Sequence, residues 1–233
     1  MNTFFKIFIF SSMSGLAVIL GGYLGTKKIP DKVLAFVLAF GSGVLLSVLS
    51  YSLMHEAYRQ SGPVCTSIAF FLGGAFLYIV EGLMTRFVAP GTGAIIGTAL
   101  DDLPEALSMG IGFATDKGRL GIVIALSVLL HNIPEGISST RDLIDKAGLT
   151  SKSAMVLAVI VALLDPLAAL TGYYLLKDLN EVWLGMIMAF SGGSILFMTG
   201  TSLIPEAHSL GTRLENAGLL VGFLAAFLIS RLL

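Results

Sequence analysis

Apolar residues fill this chain in long runs, and most polar residues fall in short breaks between them. Eight of the runs are about 17–25 residues long, the length an α-helix needs to cross a hydrocarbon core. They predict helices near 4–25, 33–54, 64–86, 92–114, 119–140, 153–176, 182–203 and 215–232. Every connection is short. The longest, Arg141 to Lys152, is polar and holds Asp142, Asp145 and Lys146. Arg86 to Gly93, with Pro90 and two glycines, reads as a turn. The expected fold is all-α: a polytopic membrane protein of eight transmembrane helices, forming a single domain over residues 1–233.

Two internal repeats refine that picture. Asp101-Asp102-Leu103-Pro104-Glu105 is echoed thirty residues later by His131-Asn132-Ile133-Pro134-Glu135. Ala39-Phe40-Gly41-Ser42-Gly43, running on to Glu56-Ala57, returns 150 residues later as Ala189-Phe190-Ser191-Gly192-Gly193, ending at Glu206-Ala207. Each pair falls on helices that run in opposite directions, as inverted-topology repeats do. A 3+2+3 bundle follows, with helices four and five in the middle.

Composition sets the class. The chain is 55% hydrophobic and 12% charged, against about a quarter charged in soluble domains, and its mean hydropathy is +0.90. A net charge of −1 gives no footing for nucleic acid, and the single cysteine, Cys65, excludes an internal disulfide or a cysteine-rich zinc knuckle. Lys6 and the apolar run after it resemble a signal peptide. Gly21-Gly22 lead straight to Lys27-Lys28 without a cleavage pattern, however, so a retained first helix is expected. An even number of spans puts both termini on one side. Placing them outside leaves eight of the 14 lysines and arginines in inner loops, which favours that orientation.

Against this apolar background the acidic residues stand out. A charged side chain at mid-bilayer costs about 2.5–3.5 kcal/mol on insertion scales. Helix four carries Asp101, Asp102 and Glu105, helix five Glu135, and helix six Asp165 just before Pro166, with no lysine or arginine nearby to neutralise them. A divalent cation removes that conflict, and protons would compete with it. Asp101 and Glu105 share one helix face, as do His131 and Glu135. Pro104 and Pro134 also free the carbonyls of Leu100 and Leu130 one turn back. Opposed faces would bring Asp101, Glu105, His131 and Glu135 onto one ion. Asp102 and Asn132, turned about 100° around their helices, would form a neighbouring site with Asp165, bridged by one or both glutamates. Oxygen-rich ligation with one imidazole suits Zn2+, Mn2+, Fe2+ or Cd2+ over Cu+. His55-Glu56 and Glu206 with His208 end helices two and seven. Residues there ordinarily just face water; the functional reading is a relay, His55-Glu56 at the outer mouth and Glu206-His208 at the inner one.

These motifs resemble the ZIP family of divalent-metal transporters, which has eight transmembrane helices and paired proline–glutamate motifs on helices four and five. His131-Asn132-Ile133-Pro134-Glu135-Gly136 matches the family form His-Asn-x-Pro-Glu-Gly. Asp101-Asp102-Leu103-Pro104-Glu105-Ala106 matches at Pro and Glu, Asp165-Pro166 resembles an acidic-Pro step on helix six, and Ile204-Pro205-Glu206-Ala207 resembles the end of helix seven. Two departures stand out. Asp101 occupies a position usually held by histidine, making the site harder and more anionic and raising Mn2+ or Fe2+ as cargo beside Zn2+. Thr85 to Gly93 lacks the histidines many members carry between helices three and four. The resemblance implies import toward the cytoplasm by an elevator-like or rocking movement, in the bacterial cytoplasmic membrane, with divalent metal ions and lipid as partners and a homodimer compatible with it. An intramembrane metal-dependent hydrolase is the alternative. It needs three firm ligands, an open metal position and a general base, whereas no His-Glu-x-x-His occurs and inverted repeats favour alternating access. A transporter, not an enzyme, is expected.

Overall fold

Asn2 begins the first helix by accepting a hydrogen bond from the Phe4 N–H on its side-chain oxygen, at 3.3 Å. The computed structural model describes residues 2–233 except 88, 89, 116, 117, 212 and 214; the side chains of 85, 90–98, 101 and 215 also lie outside the described residues. The described regular structure is helical throughout: α1 Thr3–Gly25, α2 Asp31–Val48, α3 Met54–Phe87, α4 Pro90–Ala114, α5 Arg119–Asp145, α6 Ser151–Leu176, α7 Glu181–Met198, α8 Ile204–Leu210 and α9 Glu215–Leu232. Wide i→i+5 turns at Leu49–Leu53 and Thr199–Leu203 join α2 to α3 and α7 to α8. These two turns are themselves 150 residues apart, so the repeat seen in the sequence extends to backbone geometry.

Five stretches among the described residues are long and apolar enough to cross a membrane: Thr3–Gly25, Asp31–Met84, Arg119–Asp145, Ser151–Leu176 and Glu181–Leu210. Asp31–Met84 is twice the needed length and is broken at Gly62, whose φ of +72° and ψ of 173° only glycine adopts easily. Pro63 follows and holds Gly62 extended. The polarity is inverted relative to a soluble protein. Phe71, Leu163, Leu175 and Leu220 are exposed, while Asp102, Glu105, His131 and Asp165 are buried. This is an integral membrane protein.

Several predicted boundaries need correction. The second apolar helix does not stop at 54 but runs on to the Gly62 break, and the seventh continues past 203 to Leu210. Arg141 to Lys152 is not one long loop. The α5 helix continues through Arg141 and Asp142 to Asp145, because its polar residues pair along it. Lys146 Nζ lies 2.7 Å from Asp142 Oδ2 and Arg141 Nε 4.0 Å from Asp145, and the Asp142 carboxylate holds the Lys146 ammonium above the usual lysine value. Gly148, at φ +70°, then ends the helix, with the Leu149 N–H bonding back to the Leu143 carbonyl at 3.0 Å. Of the predicted turn from Arg86 to Gly93, Phe87 closes α3 and Pro90 opens α4; residues 88 and 89 between them lie outside the described residues.

Packing sorts the helices into two groups. In one, α2 lies against α9 and α3 against α7; in the other, α1 packs on α5 and α6, and α4 on α6 and α5. Small residues set these contacts, since helices in lipid gain from close van der Waals approach rather than from burying apolar surface. A Cβ on Gly222 of α9 would overlap the Phe40 carbonyl oxygen of α2, and one on Gly73 of α3 would overlap the Phe190 carbonyl oxygen of α7. Phe40 and Phe190 are equivalent in the repeat. The groups meet mainly where α2 crosses α5 and α4 crosses α7.

Candidate metal site

Three helices with a proline inside them, α4 at Pro104, α5 at Pro134 and α6 at Pro166, converge in the second group. Each proline removes one rung of the backbone ladder, beside the residues singled out by sequence. Asp102, Glu105, His131, Asn132 and Asp165 are each at most 1% exposed, and Glu135 is 9% exposed. Asp101 lies on α4, but its side chain is outside the described residues.

The buried groups form two adjoining clusters. In the first, His131 stands between two glutamates, its Nε2 3.3 Å from Glu135 Oε2 and 3.7 Å from Glu105 Oε1. Its other ring nitrogen, Nδ1, faces the backbone of Gly41 on α2. A Cβ at Gly41 would sit 3.1 Å from that nitrogen and 2.9 Å from Pro134 Cγ, so glycine sets how closely α2 can lie on the motif. In the second cluster, Asn132 Nδ2 donates to Asp165 Oδ2 at 3.1 Å and to Ser14 Oγ at 3.0 Å. Asp102 faces Asp165 and lies within the fields of Glu135 and Glu105. Both glutamates are thus electrostatic neighbours of Asp102 as well as of His131.

Electrostatically the site is one-sided. Four carboxylates and one imidazole are buried together, and among the described residues no lysine or arginine is buried. Both oxygens of Asp102, Oδ1 of Asp165 and Oδ1 of Asn132 meet no protein donor. Buried charge of one sign without a partner is strongly unfavourable, and oxygen acceptors arranged this way suit a hard or borderline cation. Among the described residues, no group of three or more His, Cys, Asp or Glu side chains is arranged to hold an ion as it stands.

The residues proposed for the pathway mouths are not alike. Glu206 accepts a hydrogen bond from Ser138 Oγ at 2.6 Å, which ties the end of the seventh helix to α5 one turn past Glu135. His208 is exposed, as is His55. Glu56 is engaged along its own helix by Arg59 and Gln60. Ser14, Ser138 and Gly41 were not singled out as site residues from sequence. A serine in an apolar helix carries no signal of a partner on another helix.

A family model described as "ZIP Zinc transporter" matches residues 91–230. The chain belongs to the ZIP family. Among its relatives, a protein named zinc transporter ZupT from Chlorobaculum parvum is 29% identical, covering 97% of this chain and 96% of its own length. Another zinc transporter ZupT, from Clostridium perfringens, is 24% identical over 95% of this chain and 94% of its own length. The zinc transporter GufA of Myxococcus xanthus is 31% identical over 68% and 67%. The ZIP match spans α4 to α9 and so includes both proline–glutamate motifs and the Asp165-Pro166 step.

Proposed function

We propose that this ZIP-family protein carries divalent transition-metal ions, zinc foremost with Mn2+, Fe2+ and Cd2+ as competing cargo, through the carboxylate cluster of α4, α5 and α6, and that it imports them. The observation that carries the reading is the burial of Asp102, Glu105, His131, Glu135 and Asp165 at one helix junction, where both oxygens of Asp102 and Oδ1 of Asp165 meet no protein donor. Asp101, Glu105, His131 and Glu135 form one ion position; Asp102, Asn132 and Asp165 form the next, and Glu105 and Glu135 bridge them. The chain traverses the bilayer eight times as one domain of residues 1–233, with both termini outside. The repeats give it 3+2+3 order.

Movement follows from the packing groups. All the named ligands lie on α4, α5 and α6, and these pack with α1, whereas α2, α3, α7 and α9 form the other group. Displacing one group along the other carries the ligands as a unit, and Gly41 at the α2–α5 crossing keeps that surface free of side-chain bulk. Glu206, reached through Ser138, takes the ion on the inner side. A hydrolase is set aside, because the repeats and the two-group packing favour alternating access.

Uptake of zinc into proteoliposomes tests the proposal. Glu105→Ala or Glu135→Ala should abolish uptake while the protein still folds. Full uptake in either variant would count against the assignment, and turnover of a bond without flux would support the enzyme instead.

A further inference from the structure

Serines in these apolar helices mostly satisfy themselves. Ser11 donates to the Ile7 carbonyl one turn back at 2.6 Å, and Ser42 does the same to Leu38 at 2.9 Å. This is what a hydroxyl does in an apolar helix when nothing else is within reach. Ser14 is equally buried, but its partner is 118 residues away, on α5. Asn132 Nδ2 donates to Ser14 Oγ at 3.0 Å and to the Ser14 carbonyl at 3.3 Å. The Ser14 hydroxyl also lies in the electrostatic surroundings of the Asp165 carboxylate.

Hydrogen-bond accounting gives this contact a consequence. The Asn132 amide has two N–H groups, and the Ser14 and Asp165 oxygens take both. Turned over, the amide would set its oxygen against a carbonyl and a carboxylate, so the network fixes its orientation. The carbonyl oxygen of Asn132 is thereby turned away from Ser14 and from Asp165 Oδ2, and it lacks a protein donor, as do both oxygens of Asp102 and the second oxygen of Asp165. Nor can α1 drift away from this position. A Cβ on Gly15 would overlap the Ala162 carbonyl oxygen, and one on Gly21 the Ile133 carbonyl oxygen, so α1 rests backbone to backbone on both partner helices.

We propose that Ser14 is a positioning residue for the second ion position: by accepting from the Asn132 amide, whose nitrogen also donates to Asp165, it orients the Asn132 oxygen toward a divalent cation. This rests on the transport reading above and extends it to a helix that carries none of the ligands named there. Groups that orient metal ligands typically change metal affinity about 10- to 100-fold when removed.

The test uses the full-length protein with Zn2+ as the only probe. Ser14→Ala should raise the KM for zinc uptake and weaken equilibrium zinc binding about 10- to 100-fold, with Vmax and the melting temperature of the metal-free protein close to wild type. Ser11→Ala removes a buried hydroxyl of the same helix that touches no ligand, and it should leave KM unchanged. Wild-type KM and zinc affinity in Ser14→Ala overturn the proposal. If Ser14→Ala does not fold, Ser14→Cys, which keeps the bulk but makes weaker hydrogen bonds, must show the same direction of change; wild-type affinity there overturns it too. Glu105→Ala is assayed alongside. Full uptake in that variant defeats the transport reading itself, whereas loss of uptake there with wild-type behaviour of Ser14→Ala defeats only the role of Ser14.

Discussion

Asp102→Asn separates an ion site from an ordinary polar network, because the two predict opposite signs for stability. Asp102 is 1% exposed, both its oxygens lack a protein donor, and its strongest electrostatic neighbours are the carboxylates of Asp165, Glu135 and Glu105. Asparagine has nearly the same shape and no charge. Removing an ionised carboxylate from mid-membrane recovers about 2.5–3.5 kcal/mol on insertion scales. Each like charge about 6 Å away adds about 3 kcal/mol at an effective dielectric of 20. Relaxation and sharing of protons among the carboxylates absorb much of this. A net gain of about 1–3 kcal/mol is expected for the metal-free protein. At about 2–4 °C per kcal/mol for a chain of this size, its melting temperature should rise by about 2–12 °C.

With zinc the gap should narrow. A ligand at 100 times its Kd stabilises the folded state by about 2.7 kcal/mol, and wild type should show a rise of that size. The variant, having lost a ligand of the second position, should gain less. The assay is a thermal melt of purified protein in detergent, with chelator and then with a zinc series. A lower melting temperature for Asp102→Asn in chelator would refute the reasoning, since it would mean that the Asp102 charge is stabilised by the protein itself.

Other expectations are more direct. Asp101→His should move selectivity toward zinc and away from manganese in a competition assay of zinc, cadmium, manganese and iron(II); an unchanged profile would exclude that side chain from the ion's ligands. Gly62→Ala should cost about 1–3 kcal/mol by denaturant or thermal unfolding, because the backbone there suits only glycine. Nothing lies within 4 Å of the added Cβ, so no clash accounts for the loss, and a neutral result would show that the break between the second and third spans is not held at Gly62. Gly41→Ala should reduce Vmax for zinc uptake at least severalfold, since the methyl meets the rigid Pro134 ring at 2.9 Å and overpacking of this kind costs about 1–3 kcal/mol. Wild-type Vmax there would remove the α2–α5 crossing from the moving surface.

Much of the site was legible because charge inside an apolar run is conspicuous. Asp102, Glu105, Glu135 and Asp165 stand out as acids in apolar runs, and the structure brings them together with His131 and Asn132. The helix ends were less legible. Hydropathy marks where hydrocarbon would be, whereas α5 ends where its ion pairs and Gly148 end it, five residues beyond the apolar run. The wide turns at Leu49–Leu53 and Thr199–Leu203 have no hydropathy signature, although their 150-residue spacing continues the repeat. Grouping was the least legible, because it depends on which glycine meets which carbonyl across the bundle.

That grouping gives Ser14 its meaning. In the repeat, α2 with α9 is matched by α7 with α3, through Phe40 against Gly222 and Phe190 against Gly73. Outside that scheme, α1 packs on α5 and α6, and α6 packs on α1 and α4. Ser14 of α1 and Asp165 of α6 are 151 residues apart, within one residue of the repeat, and both accept from the same amide nitrogen of Asn132. One side chain is thus approached from two helices, from one with a carboxylate and from the other with a hydroxyl. A second carboxylate at position 14 would add another negative charge to a cluster that is already one-signed. Serine keeps the hydrogen bond to Asn132 without adding charge.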